Sequence, residues 1–318
     1  MSKLKVLVLD AVREDAITDL KDKFDVTIAT GPENDRKWVL DHIAPYDAVI
    51  TSKMKFNPEM IDAAKNLKII STYGVGFDHV DTAYAKKKGI VVSNSPKSVR
   101  RPTAELGLTL ILACARRICY YDHTIREGKF ISSNDYANQG YDIEGKTLAI
   151  FGMGRIGKLL ASFAKMLGMK IIYHNRHQVA PKIEEKLGAK YVDFDTLIKQ
   201  ADYLSLNAPA TPQTTGIISA KVFKKMKKTA FLINIARGAL VDEDALIAAL
   251  ENKEIAGAGL DVFVNQKKVN PKFYDLDNVI LTPHMGSATH AGRYNLAKES
   301  AENVISYLSD GKAINQVN

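Results

Sequence analysis

The chain is poor in cysteine and in long hydrophobic runs. Cys114 and Cys119 are its only cysteines in 318 residues, too few for a disulfide framework. On one continuous helix their spacing of five would place them on different faces, so no mutual bond is expected. Both read as small buried hydrophobes in a reducing compartment. The longest apolar runs, such as Leu108 to Ala115, fall far short of the ~20 residues that a membrane-spanning helix needs. The opening MSKLKVLVLD has no secretory h-region or cleavage pattern, so a cytoplasmic location and no membrane partner are expected. Low-complexity segments and short-period repeats are also missing, and we assign no metal ligands.

What remains is an ordinary globular composition, 46% hydrophobic and 25% charged, long enough for two cores. The formal charge is +8. Its main cluster, KVFKKMKK at 221–228, alternates with Val222, Phe223 and Met226. That pattern reads as the solvated face of an amphipathic helix rather than a nucleic-acid surface. An anionic cofactor and substrate fit a basic surface equally well.

Short β-branched runs alternate with amphipathic segments. KVLVLD (5–10), VTIA (26–29), AVIT (48–51), KIIST (68–72) and IVVS (90–93) read as strands. Helices are expected at Arg13–Lys23, Pro58–Ala64 and Val80–Lys88. A second series starts at TLAIFGMG (147–154) and runs through KIIYHN, ADYLSLNAP, AFLINIA, GAGLDVF and NVILTPH. This rhythm predicts an α/β fold with two parallel sheets. Between the series lies PTAELGLTLILACARR (102–117), a helix apolar on nearly all sides. Such a helix is expected to be buried between domains or subunits. A long amphipathic stretch, Ala291 to Leu308, closes the chain and could return to the first domain.

Gly152, Gly154 and Gly157 form GMGRIG between the strand TLAIF and the helix IGKLLASFAKML. In that context the pattern points to a dinucleotide. Gly152 permits a tight turn, Gly154 a close approach of pyrophosphate, and Gly157 close helix–strand packing. The helix N-terminus, with Arg155 and Ile156 in its first turn, offers N–H donors to the phosphates. An acid that grips the adenosine ribose is expected about 20 residues further on. None occurs between Glu144 and Glu184. Asn175, Arg176 and His177 occupy that turn instead. A guanidinium binds a 2′-phosphate where a carboxylate would repel it. NADP(H) is therefore preferred over NAD(H), which stays possible, since Arg176 could instead stack on adenine or face solvent.

Arg237 and His284 each follow a strand-like run, at the strand ends where open α/β sheets bind ligands. A guanidinium holds a carboxylate, and an imidazolium protonates a carbonyl oxygen. Beside a nicotinamide, that pair suits reduction of a 2-keto acid. A structural ion pair and a buried neutral histidine are the plainer alternatives.

At this point the chain resembles the D-isomer-specific 2-hydroxyacid dehydrogenases, nearly end to end. GVGFDHVD (74–81), NSPKSVRRPTAEL (94–106), GMGRIG, NAPATPQTTGII (207–218), NIARGALVDE (234–243), GAGLDVF (257–263) and TPHMGSAT (282–289) follow the family's order. The HNR turn resembles the NADPH-preferring glyoxylate/hydroxypyruvate reductase branch. The resemblance implies two Rossmann-like or flavodoxin-like domains with an interdomain active-site cleft. Residues 1–101 and 287–318 would be the substrate domain and 102–286 the dinucleotide-binding domain. It implies a homodimer built on the 102–117 helix. Arg237 would bind the substrate carboxylate, and His284 would be the general acid. Amides of Val75 and Gly76 would receive the carboxylate. Asp261 would hold the nicotinamide carboxamide, with Thr103, Ala236 and Gly286 close by. Ala208, Pro209 and Thr214 would also line the cofactor. Substrate size would depend on Met54, Lys55, Phe56, Tyr73 and Arg100 or Arg101.

One motif departs from the family. DVFE-x-EP is replaced by DVFVNQKKVNP (261–271), with Val264 and Gln266 at the two glutamate positions. A carboxylate beside an imidazolium favours its charged form. Neutral Gln266 could orient the His284 ring but gives little electrostatic help. Altered pH dependence is expected, not loss of activity. The alternative from another class is a cofactor-sensing protein like the corepressors of this fold, with little or no turnover.

Overall fold

The computed structural model describes residues 3–318. It divides into two compact units. One comprises the chain up to Val99 with Ser287–Asn318, and the other Arg100–Gly286. Among the described residues no helix is long and apolar enough to cross a membrane.

The first unit holds strands β1 (Lys5–Val8), β2 (Asp25–Ile28), β3 (Ala48–Thr51), β4 (Ile69–Thr72) and β5 (Val91–Ser93). They form one parallel sheet in the order β2-β1-β3-β4-β5. Every residue of β3 and β4 is buried, as parallel strands covered on both faces must be. The helix Pro58–Ala63 begins at Asn57, whose side chain accepts from Met60 N, and Thr82–Lys87 begins at Asp81, which accepts from Tyr84 N. These caps set the starts, because they satisfy N–H groups that have no partner inside the helix. The final helix, His290–Asp310, packs on β4. There its Ser300 carbonyl accepts from the buried Ser71 hydroxyl at 3.0 Å.

The second unit holds β6 (Thr147–Phe151), β7 (Lys170–His174), β8 (Ala189–Tyr191), β9 (Tyr203–Leu206), β10 (Phe231–Asn234), β11 (Gly257–Leu260) and β12 (Val279–Leu281). The order is β12-β11-β10-β9-β6-β7-β8, with every pairing parallel. Strand order reverses at β6, between β9 and β7. That switch point is where a doubly wound sheet opens a crevice for ligands.

Several local expectations are corrected. The segment expected as one helix at Arg13–Lys23 is a 3-10 turn, Glu14–Ala16, and a helix, Thr18–Lys23. Ile17 between them has non-helical dihedrals and a buried side chain. The helix expected at 102–117 runs Arg100–Ala115, and Arg117 then adopts left-handed φ of 51° before Ile118–Arg126. Cys114 and Cys119 therefore sit on different helices. Cys114 is buried, and burial pushes its thiol up to about 12. Cys119 is exposed rather than buried. The Arg100–Ala115 helix buries one face, where Gly107 lies against Ile235 and Leu160, but Glu105, Thr109 and Leu112 are exposed in this chain. The basic 221–228 segment makes only a short helix, Ala220–Phe223, because the chain must turn to enter β10 at Phe231. Its Val222, Phe223 and Met226 are nonetheless buried. Strand β8 was not anticipated, since three residues carry too little pattern to read.

Candidate active site

The glycine loop follows β6. Gly152 has φ of +105°, and a Cβ there would lie 2.6 Å from Ala208 N. A Cβ at Gly157 would lie 2.4 Å from Gly152 O. Both positions exclude a side chain for internal reasons. Gly154 differs, since a Cβ there would meet nothing within 4 Å. It is the N-cap of the helix Arg155–Met166, and no side chain caps that helix. The first-turn N–H groups of Arg155 and Ile156 follow Gly154, at the positive end of a 12-residue helix. This fits a pyrophosphate. On the β9 side, Ala208 touches Gly152, and the Thr214 hydroxyl closes its own loop by donating to Pro209 O at 2.8 Å.

The turn after β7 holds Asn175, Arg176 and His177. Asn175 Oδ1 accepts from Met153 N at 2.6 Å, which ties this turn to the glycine loop. The side chains of Arg176 and His177 are exposed. Four residues that sequence reasoning missed surround the turn. Tyr173 donates to Glu184 at 2.7 Å, Tyr191 donates to Asn175 O at 3.1 Å, and Gln178 donates to Glu184 at 3.0 Å. No spacing rule marks them, because the contacts arise only once β7 and β8 are paired.

Arg237 follows β10 and is half-buried, with Nη1 donating to Ala236 O at 2.8 Å. Asn234 shapes this bend, accepting from Ala236 N at 3.1 Å and donating to Arg237 O at 3.0 Å. Gly238 presses on the Phe263 backbone, where any Cβ would overlap at 2.0 Å. The Arg237 bend is thereby set against the departing DVFVNQ segment. There Val264 is exposed, and its N–H donates to Glu243 at 2.6 Å.

His284 sits in the turn after β12 with φ of 57°, a left-handed conformation that costs a non-glycine residue free energy. Asp261, buried at the end of β11, holds that turn. Its Oδ1 accepts from Thr282 Oγ1 at 2.7 Å and Met285 N at 2.6 Å, and its Oδ2 from Gly286 N at 2.9 Å. Its backbone oxygen accepts from His284 N at 2.8 Å. Three of the carboxylate's roughly four acceptor positions are thus used internally. A Cβ on Gly286 would lie 3.2 Å from both Asp261 Oδ2 and Thr103 Cγ2, so Thr103, Asp261 and Gly286 are brought together. His284 Nδ1 lies 3.0 Å from Gln266 Oε1.

In the first unit, Val75 and Gly76 follow β4. Asn94 donates to Val75 O at 2.9 Å, and Ser95 N to Gly74 O at 2.8 Å. Among the described residues no acceptor takes the N–H of Val75 or Gly76. Asp10, at the end of β1, accepts from Ser52 N at 2.6 Å. Burial, only partly offset by its Ser52 bonds, raises its carboxyl above the usual range. Of the size determinants considered, Phe56 and Tyr73 are buried in the core and Met54 is half-buried. Arg100 is exposed, and Arg101 is paired with Glu105 at 2.8 Å.

Comparison with known proteins agrees with this geometry. Residues 108–286 match the family described as D-isomer specific 2-hydroxyacid dehydrogenase, NAD binding domain. A glyoxylate reductase of Thermococcus litoralis is 41% identical over 99% of this chain and 97% of its own length. The crystal structure of a glyoxylate reductase from Paecilomyes thermophila superposes with TM-score 0.91 at 33% identity, covering 100% of this chain and 99% of that one. An NADPH-dependent glyoxylate/hydroxypyruvate reductase from Sinorhizobium meliloti, in complex with NADP and malonate, gives TM-score 0.89 at 29% identity, covering 99% and 97%. The chain belongs to the D-isomer-specific 2-hydroxyacid dehydrogenases, on their glyoxylate-reductase-like side, and is a pyridine-nucleotide-dependent oxidoreductase of keto acids.

Proposed function

We propose that the protein is an NADPH-dependent reductase of small 2-keto acids, glyoxylate and hydroxypyruvate among them, forming D-2-hydroxy acids. The observation that carries this reading is the turn after β7. Where a ribose-binding acid would stand, Asn175 spends its side-chain oxygen on Met153 N, and exposed Arg176 and His177 follow. Neither side chain repels a 2′-phosphate, and Arg176 donates to it in pairs. The Thermococcus litoralis and Sinorhizobium meliloti relatives support the substrate class by what they reduce, and the latter supports the cofactor by its bound NADP.

Residues 102–286 act as the dinucleotide domain, and residues 1–101 with 287–318 as the substrate domain. A bound dihydronicotinamide supplies the hydride. Gly154 and the first-turn amides of Arg155 and Ile156 meet its pyrophosphate, on a loop that Gly152 and Gly157 allow to close. Thr103, Ala208, Pro209, Thr214, Ala236, Asp261 and Gly286 surround the rest. The amides of Val75 and Gly76 receive the substrate carboxylate. Arg237 binds that carboxylate and polarises the keto oxygen. His284 donates its Nε2 proton to that oxygen, with Nδ1 held by Gln266.

The protein works in the cytoplasm, where its two free cysteines are stable, and as a homodimer. Exposed Leu112, Ile118, Ile125 and Phe130 supply apolar surface that self-association would cover. The cofactor test is Arg176→Asp. Loss of a charge-assisted phosphate contact should cut the NADPH preference by about 10–150-fold, read as the ratio of kcat/KM for NADPH and NADH. An unchanged ratio would rule out Arg176 as the selector.

A further inference from the structure

Residues 175–179, between β7 and the helix Pro181–Leu187, are held by side chains rather than by backbone pairing. Among the described residues, no backbone-to-backbone hydrogen bond involves residues 175–179. Two tyrosines take over that task. Tyr173 and Tyr191 are register partners on the parallel strands β7 and β8, so their rings share a face and meet edge-on at 5.4 Å. The Tyr191 hydroxyl donates to Asn175 O at 3.1 Å, at the start of the turn. The Tyr173 hydroxyl accepts from Val179 N at 3.0 Å, at its end. Arg176 and His177 lie between these two anchors. Among the described residues, no hydrogen bond or ion pair holds either side chain.

The Tyr173 proton goes to Glu184 at 2.7 Å, and Gln178 donates to both oxygens of the same carboxylate at 3.0 Å each. The first acid after the glycine loop is thus turned onto the frame of the turn. Burial first, and the Glu184 bond second, push the Tyr173 phenol up to about 12, so it stays a neutral donor at working pH.

We propose that Tyr173 and Tyr191 are positioning residues for 2′-phosphate recognition, pinning both ends of the 175–179 turn so that Arg176 and His177 meet the phosphate on a backbone already ordered. The inference rests on the NADPH reading above. Its physical basis is preorganisation: ordering a free turn at the moment of binding would oppose the phosphate contact with lost backbone entropy. A nucleotide without that phosphate does not use Arg176, so it should not feel the difference. Selectivity therefore separates positioning from a general structural role.

The experiment uses the full chain with Tyr173→Phe and Tyr191→Phe. Calorimetry measures binding of 2′,5′-ADP and 5′-AMP, and steady-state kinetics measure KM and kcat with NADPH and NADH. Each variant should weaken 2′,5′-ADP by about 3–10-fold, the worth of one hydrogen bond, while 5′-AMP changes by less than about twofold. KM for NADPH should rise in step, with kcat unaltered. Tyr191 is only half-buried, so Tyr191→Phe carries the test if the buried Tyr173→Phe fails to fold. Equal losses for both nucleotides, or no loss for 2′,5′-ADP, would overturn positioning. If the unmutated protein itself binds both probes equally, the NADPH reading has failed and the proposal falls with it.

Discussion

Gln266 Oε1 lies 3.0 Å from Nδ1 of His284. An amide oxygen only accepts, so Nδ1 donates to it, and on the proposed mechanism Nε2 carries the working proton. Gln266 therefore orients the ring as a carboxylate would, without its charge.

Gln266→Glu places an anion at that distance and favours the imidazolium. On the proposed mechanism reduction needs the charged ring, so the variant should hold kcat/KM to higher pH than the unmutated protein. The gain should shrink toward acid pH, where the ring is charged in both. Profiles of kcat/KM against pH at saturating cofactor check this. Coincident profiles would mean that the charge of residue 266 does not reach His284.

His284→Ala and Arg237→Ala should fail differently. Loss of the general acid should lower kcat by roughly 10²–10⁴. Arg237→Ala should also raise KM, because it would remove the proposed ground-state contact to the substrate carboxylate. Near-normal kcat/KM in either variant would remove that residue from the chemistry.

The Asp261 clamp makes the strained His284 turn sensitive to Thr282. Thr282→Val deletes the 2.7 Å bond to Asp261 Oδ1, whereas Thr282→Ser keeps the hydroxyl. Valine should lower kcat and reduce stability by about 0.5–1.5 kcal/mol, and serine should restore kcat. Matched kcat values for valine and serine would show that the clamp does not set His284.

The glycine loop separates folding from binding. Gly152→Ala would force a side chain to within 2.6 Å of backbone at positive φ and should destabilise the fold. Gly154→Ala meets no protein atom within 4 Å, so melting temperature should hold while cofactor binding weakens. If Gly154→Ala binds cofactor normally, the pyrophosphate does not approach there.

The parallel sheets were legible because buried parallel strands are continuous β-branched runs, as in AVIT and KIIST. The glycine loop and the missing acid were legible because they are local in sequence. The Tyr173–Glu184–Gln178 frame was not, since it needs β8, three residues long, paired in register with β7. Nor was the helix break before Ile118, because Arg117 adopts a left-handed conformation that arginine rarely signals. The Asp261 clamp was also hidden. Its aspartate stood out, but which donors it would meet depends on how the turn after β12 folds back.

The most direct test of NADPH-dependent keto-acid reduction is a comparison of kcat/KM for NADPH and NADH with glyoxylate and hydroxypyruvate in the unmutated protein. Oxidation of NADPH favoured by about 10–150-fold is the expected result, matching the worth of a charge-assisted phosphate contact. Equal values for the two cofactors would contradict the role given to Arg176, and tight NADPH binding without turnover of any 2-keto acid would contradict the reductase itself.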